Sequence, residues 1–183
     1  MLKEFFQSFF SWILYFAIIS FNPAYFNAAI IVVLAVTIIL SWSTLKKGFI
    51  VSWGTLIFFV FLFFSVIIFK NDWIKQHAWI FSSGTLVLIA WVSIVIRKPF
   101  TIQYAKQKVE RELWQNPVFI RINYILTAVW GLVFLFNMFC HVLQLYLGHF
   151  GFFEAARDLS TIFAILFTAR FPDWYVRRLP QDE

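Results

Sequence analysis

An all-α membrane helix bundle is the fold class that this sequence predicts, and three observations predict it. The 183 residues are 62% hydrophobic and 22% aromatic but only 13% charged, with a mean hydropathy of +0.80. A soluble domain of this length carries about a quarter charged residues and cannot hide so much apolar surface. The apolar residues also fall in runs long enough to cross a hydrocarbon core, and Lys and Arg gather in the short connections between them. Six transmembrane helices, or five if the first run does not span, form one expected bundle over 1–170. A cytoplasmic C-terminal tail follows over 171–183.

The first run, 5–21, has about the minimum spanning length. It carries Gln7, Ser8 and Ser11, so it either spans or lies in the interface. No small-x-small cleavage site follows it, which argues against a signal peptide. Asn22-Pro23 breaks it, because the residue before proline resists helix and proline can open the next one. The second run, 25–42, is rich in β-branched residues. In lipid a lone segment must satisfy its own backbone hydrogen bonds, so helix is expected even there. Lys46-Lys47-Gly48 is a basic turn, and 49–69 is the third run. After the polar residues 70–77 comes the fourth, 78–96, with Trp79 and Trp91 near its ends, where membrane interfaces enrich Trp. Its Ser82-Ser83-Gly84-Thr85 patch would admit a close neighbouring helix.

Residues 97–121 form the longest polar interval. Ile102, Ala105, Val109 and Leu113 recur at spacings of three and four within it, the pattern of a short amphipathic helix at the headgroups. The fifth run, 119–146, is about 40 Å long as a helix, more than a bilayer core needs, so it should tilt or protrude. Gly148 to Gly151 is a turn. The sixth run, 153–169, is interrupted by Glu154, Arg157 and Asp158, and the residues after it should be loosely ordered.

The net charge of +6 follows from topology, and nucleic acid is not an expected partner. With six spans, the N-terminus, Lys46-Lys47, the 97–121 loop and the tail lie on one side. The opposite connections hold only Lys70 and Lys75. The positive-inside bias then places both termini in the cytoplasm. Lys46, Lys47, Arg97, Lys98, Lys106, Lys108, Arg111 and Arg121 are therefore candidates for contact with lipid headgroups or a partner. Self-association is left open.

Two constellations stand out. Asn123, Thr127, Trp130, Phe134, Asn137, His141 and Gln144 alternate at spacings of four and three and so share one helix face. Polar groups in lipid seek partners, so this seam reads either as interhelical hydrogen bonding or as the wall of a cavity for a small molecule or lipid headgroup. Glu154, Arg157 and Asp158 form the second. Glu154 and Arg157 can pair at i, i+3, or the cluster can serve an ion path with His141 or His149. His77, His141 and His149 lack metal-ligand spacing, and Cys140 stands alone, so no metal or cofactor is expected. No nucleophile elbow, phosphate loop or dinucleotide fingerprint appears, and no enzymatic activity is expected beyond a weak acid–base reading of His141 with Asp158.

The order of short motifs resembles a known family. Trp42 with Lys46-Lys47 closes the second run, and Phe69-Lys70-Asn71-Asp72-Trp73-Ile74-Lys75 follows the third. Arg97-Lys98-Pro99-Phe100 follows the fourth. Leu113-Trp114, Arg121-Ile122-Asn123, Trp130 and Asn137 mark the fifth, and Leu179-Pro180-Gln181-Asp182 ends the chain. Over nearly its whole length this is similar to the bacterial intracellular septation protein A family. It departs from that pattern in a longer polar loop before Trp114 and in the charges at Glu154. The resemblance implies a multi-pass protein of the bacterial inner membrane that supports cell-envelope synthesis and septation as a non-enzymatic scaffold contacting envelope or division proteins. The alternative is a small transporter or lipid-handling protein using a polar cavity beside the fifth and sixth runs.

Overall fold

The computed structural model describes the backbone of residues 2–148 and 150–178 and the side chains of 8–148 and 151–178. His149, the Leu179-Pro180-Gln181-Asp182 motif and the side chain of Gln7 lie outside the described residues. Among the described residues the chain is all-helical, with no strand. It divides into two compact units, Met1–Thr85 and Leu86–Glu183.

In the first unit, α1 (Leu2–Phe21) packs on α2 (Phe26–Leu40) after a 3-10 turn at Pro23–Tyr25. Asn22 caps that turn, its Oδ1 accepting from the Ala24 amide at 2.9 Å. The short α3 (Trp42–Lys46) leads to α4 (Ile50–Leu62), which packs on both α1 and α2. Gly48 makes the corner with φ +72°, a conformation that costs glycine little. The helix beyond Leu62 widens into a π-helix over Phe63–Ile68, with the Phe69 amide reaching back to the Phe64 carbonyl at 2.9 Å. A single turn, α5 (Asp72–Gln76), precedes α6 (Ala78–Val95). The start of α6 belongs to this unit, where Trp79 stacks on Phe16 with ring centroids 5.2 Å apart.

The core of this unit is not purely apolar. Ser8, Ser11, Thr37, Thr44, Ser52 and Thr55 are fully buried. Ser52 donates to Thr44 Oγ1 at 2.7 Å and lies 3.1 Å from Ser8 Oγ. Thr37 Oγ1 lies 2.8 Å from Ser11 Oγ, and the Trp12 indole donates to Thr55 Oγ1 at 2.8 Å. Ser8 and Ser11, which make the first run look weakly apolar, are therefore among the residues that fasten it. Ser8, Ser11, Trp12, Tyr15 and Ile19 recur at helical spacing and form its buried face.

In the second unit, α7 (Phe100–Ala105) folds back on α8 (Pro117–Leu147), which packs along α9 (Phe150–Arg177). Gly131 of α8 lets Ala90 and Trp91 come close: a Cβ there would lie 3.1 Å from Trp91 Nε1. The single amphipathic helix expected over 102–113 is not formed. In its place are the six residues of α7 and a 3-10 turn at Arg111–Gln115. The buried face is Phe100, Thr101 and Tyr104, while Leu113 is exposed. The physical reason is the start of α7. The Phe100 amide donates to Ser93 Oγ at 3.1 Å, and the Thr101 hydroxyl donates to the Asn123 carbonyl at 2.8 Å. This pulls α7 into the protein, and the chain must then turn at 106–110 to reach Pro117.

Helix α9 does not stop where the apolar run ends at Ala169 but continues to Arg177 with Pro172 inside it. Phe167 stacks on Phe171 at 4.6 Å, and Tyr175 follows at 5.4 Å, so aromatic i, i+4 pairs carry the helix on.

Among the described residues, four helices are long and apolar enough to cross a membrane: Pro23–Leu40, Ile50–Ile68, Ala78–Val95 and Pro117–Leu147. The apolar part of α1, Ser8–Phe21, is shorter, and α9 carries Glu154, Arg157, Asp158, Arg170 and Asp173. Large apolar side chains such as Ile39, Ile57, Leu88, Leu132 and Phe139 stand exposed on the four long helices. A soluble monomer rarely presents so much contiguous apolar surface, and a bilayer is the solvent that accepts it.

Candidate functional site: the polar seam of α8 and α9

Helix α8 starts at Asn116, whose Oδ1 accepts from the Val118 amide at 2.8 Å, with Pro117 at the first helical position. It ends at Gly148 in the left-handed conformation. From this 31-residue rod the seven seam residues project at about one-turn intervals. Asn123, Thr127, Trp130, Phe134 and His141 are buried, and Asn137 and Gln144 are half-buried. The heptad spacing therefore identifies the face that α8 turns to protein.

Three of the seam residues bond across to α9. The Trp130 indole donates to Thr168 Oγ1 at 3.0 Å. Ser160 donates to Asn137 Oδ1 at 2.8 Å, and Asn137 Nδ2 reaches Thr161 Oγ1 at 3.4 Å. The Arg157 guanidinium donates to Gln144 Oε1 at 2.7 Å. As residue numbers rise on α8 they fall on α9, so the bonds close an antiparallel pair at roughly two-turn intervals. The lower seam is held by α7: the hydroxyls of Thr127 and Thr101 lie 2.8 Å apart. Asn123 Nδ2 donates within α8 to the Phe119 carbonyl at 2.8 Å, and Asn123 Oδ1 is buried without a hydrogen-bond partner among the described residues.

Arg157 bonds across to Gln144 and lies three residues from Glu154 on its own helix. Glu154 and Asp158 are exposed. His141 is buried while Asp158 faces outward, so the two share no common face for acid–base work. The Asn137 side chain is bonded by Ser160 and Thr161. Cys140 is buried beside the seam. Among the described residues, no group of three His, Cys, Asp or Glu side chains could hold a metal ion.

The α9 partners Ser160, Thr161 and Thr168 were not singled out from the sequence. They lie three, four and eleven residues after Arg157, spacings that match the α8 period, but the signal is diluted by the isoleucines and phenylalanines between them.

The basic candidates fall on connections and near helix ends. Lys46, Lys47, Arg97, Lys98, Lys108, Arg111 and Arg121 are exposed, and Lys106 is half-buried. The Lys46 ammonium lies 5.1 Å from the Trp42 ring, and Lys106 and the Arg111 guanidinium lie 5.0 and 5.8 Å from Trp114. Such pairs keep charge and aromatic ring together at an interface. No family model matches this chain, and neither a curated protein nor a solved structure matches it.

Proposed function

We propose that this protein is a six-span, non-enzymatic scaffold of the bacterial inner membrane, with its C-terminus in the cytoplasm, that supports envelope synthesis and septation by contacting other envelope or division proteins. The observation that carries this reading is the ordered basic connection between α6 and α8. Thr101 clasps α7 to Asn123 and Thr127, and Trp114 gathers Lys106 and Arg111. Exposed Lys98, Lys108, Glu110 and Glu112 thus stand on a fixed surface that offers both signs of charge to a partner. The order of motifs shared with the septation protein A family supports the same reading. The transporter alternative needs free polar groups beside α8 and α9, but Asn137, Gln144 and Trp130 are spent on α9 itself, which favours the scaffold.

A photo-crosslinking residue in place of Lys108 tests it in growing bacterial cells, with one at lipid-facing Leu132 as the control. Adducts with envelope or division proteins at Lys108 and not at Leu132 are expected. Equal or absent capture at the two positions removes the scaffold. A cysteine at Lys106 should resist membrane-impermeant maleimide in intact cells, and labelling from outside reverses the proposed orientation.

A further inference from the structure

The first unit contains a cleft of about 380 Å³ whose lining includes Ile19, Phe26, Asp72, Lys75, Gln76 and Trp79. This volume lies in the range of small-ligand sites. Its floor is apolar and buried, with Ile19 3% and Phe26 7% exposed. Its rim is charged and exposed. Asp72 and Lys75 stand three residues apart on the one turn of α5 and so point the same way. The Lys75 ammonium leans to within 5.9 Å of the Phe26 ring, and among the described residues no ion pair joins it to Asp72.

The depth of the cleft is set by the helices around it. It lies where the apolar helix of Pro23–Leu40 begins, where Ile50–Ile68 has just ended and where Ala78–Val95 begins. Phe21, Tyr25, Phe69 and Trp73 are exposed at these same helix ends, between 52% and 85%. Aromatic side chains at the ends of apolar helices mark the headgroup level of a bilayer. An apolar floor opening to one cation and one anion at that level matches one chemistry.

We propose that this cleft binds the headgroup of a phospholipid with a primary amine, such as phosphatidylethanolamine. Lys75 takes the phosphate and Asp72 the ammonium, and the glycerol and first acyl carbons lie along Ile19, Phe26 and Trp79. A purely anionic headgroup would meet Asp72 with like charge. A choline headgroup has no N–H to donate to the Asp72 carboxylate. The proposal rests on the membrane setting alone: failed crosslinking at Lys108 leaves it standing, and its own failure leaves the scaffold standing.

The test is thermal unfolding of the full chain in dodecyl maltoside micelles, titrated with phosphatidylethanolamine, phosphatidylglycerol, phosphatidylcholine and water-soluble glycerophosphoethanolamine. Phosphatidylethanolamine should raise the midpoint at the lowest concentration, by about fivefold over phosphatidylglycerol, the size of one exposed charge contact. Asp72→Asn should erase that preference, Asp72→Glu should keep part of it, and Lys75→Gln should weaken the response to every phospholipid. Both positions are exposed, so the variants should fold. Phosphatidylglycerol equal to or better than phosphatidylethanolamine, as the net charge of +6 alone would produce, overturns the proposal. So does an unchanged preference in Asp72→Asn. An equal response to glycerophosphoethanolamine overturns the lipid as occupant.

Discussion

The Trp130 indole N–H donates to the Thr168 hydroxyl at 3.0 Å across the α8–α9 pair, four residues before Pro172. Pro172 has no N–H to return to the Thr168 carbonyl, so α9 loses a bond of its own ladder at this level. The cross-helix contact fastens the helix where its backbone is weakest.

Trp130→Phe keeps most of the packing and removes the donor. The expected loss is about 1 kcal/mol, the scale of one interhelical hydrogen bond in an apolar setting. Thr168→Val should cost a similar amount. The double variant should cost less than the sum, by about 0.6 kcal/mol of coupling. Unfolding of all four proteins in mixed micelles measures the cycle, and strict additivity would show that the two side chains do not interact.

Gln144 and Arg157 give a prediction of opposite signs. Gln144→Leu leaves the Arg157 guanidinium without the oxygen it donates to at 2.7 Å, and the expected cost is about 1–3 kcal/mol. Gln144→Glu converts a neutral acceptor into a charged one, strengthens the bond and should raise the unfolding midpoint. A destabilising Gln144→Glu would mean that the site does not accept a second charge.

Much of this architecture is legible in sequence, for a definite reason. Apolar run length reports helix length directly, so the third run, 49–69, becomes Ile50–Ile68 and the fourth, 78–96, becomes Ala78–Val95. Heptad spacing on α8 likewise finds the face that meets α9, because Asn, His and Gln contrast sharply with Leu and Phe. The hydroxyl residues carry no such contrast. Ser8 and Ser11 lower the hydropathy of α1 and read as weakness, yet Ser52 and Thr37 on other helices make them the points of attachment. The broken helix at 100–115 is illegible for the same reason. Its fate is decided by Ser93 and Thr127, which are distant in the chain.

The Trp12 to Thr55 bond tests that reading of α1. Thr55→Val is nearly isosteric and leaves a buried indole N–H, 2.8 Å from its former acceptor, with nothing to bond. The expected cost is about 1–2 kcal/mol. Ser8→Ala, which removes a hydroxyl from a chain whose other members keep partners, should cost less. If α1 were a loosely attached interfacial segment, both substitutions would leave the unfolding midpoint unchanged.

The corners of the two units offer a comparison at constant backbone geometry. Gly48 and Arg97 each follow a helix with positive φ, +72° and +57°. Each corner closes a bond between residues five apart: the Phe49 amide to the Thr44 carbonyl at 3.0 Å, and the Lys98 amide to the Ser93 carbonyl at 2.8 Å. This is the helix ending that favours glycine, and a side chain there costs about 1 kcal/mol. Space is not the issue at Gly48, where an added Cβ meets no atom within 4 Å. Gly48→Ala should therefore destabilise by about 1 kcal/mol through the backbone alone. Arg97→Gly should stabilise by a similar or smaller amount, since the gain in the folded corner is partly offset by greater freedom of the unfolded chain. Thermal unfolding of the two variants should move the midpoint in opposite directions. Loss of stability in both would mean that the Arg97 side chain makes a contact worth more than the strain it imposes, and the basic connection beyond it would then be held from both ends.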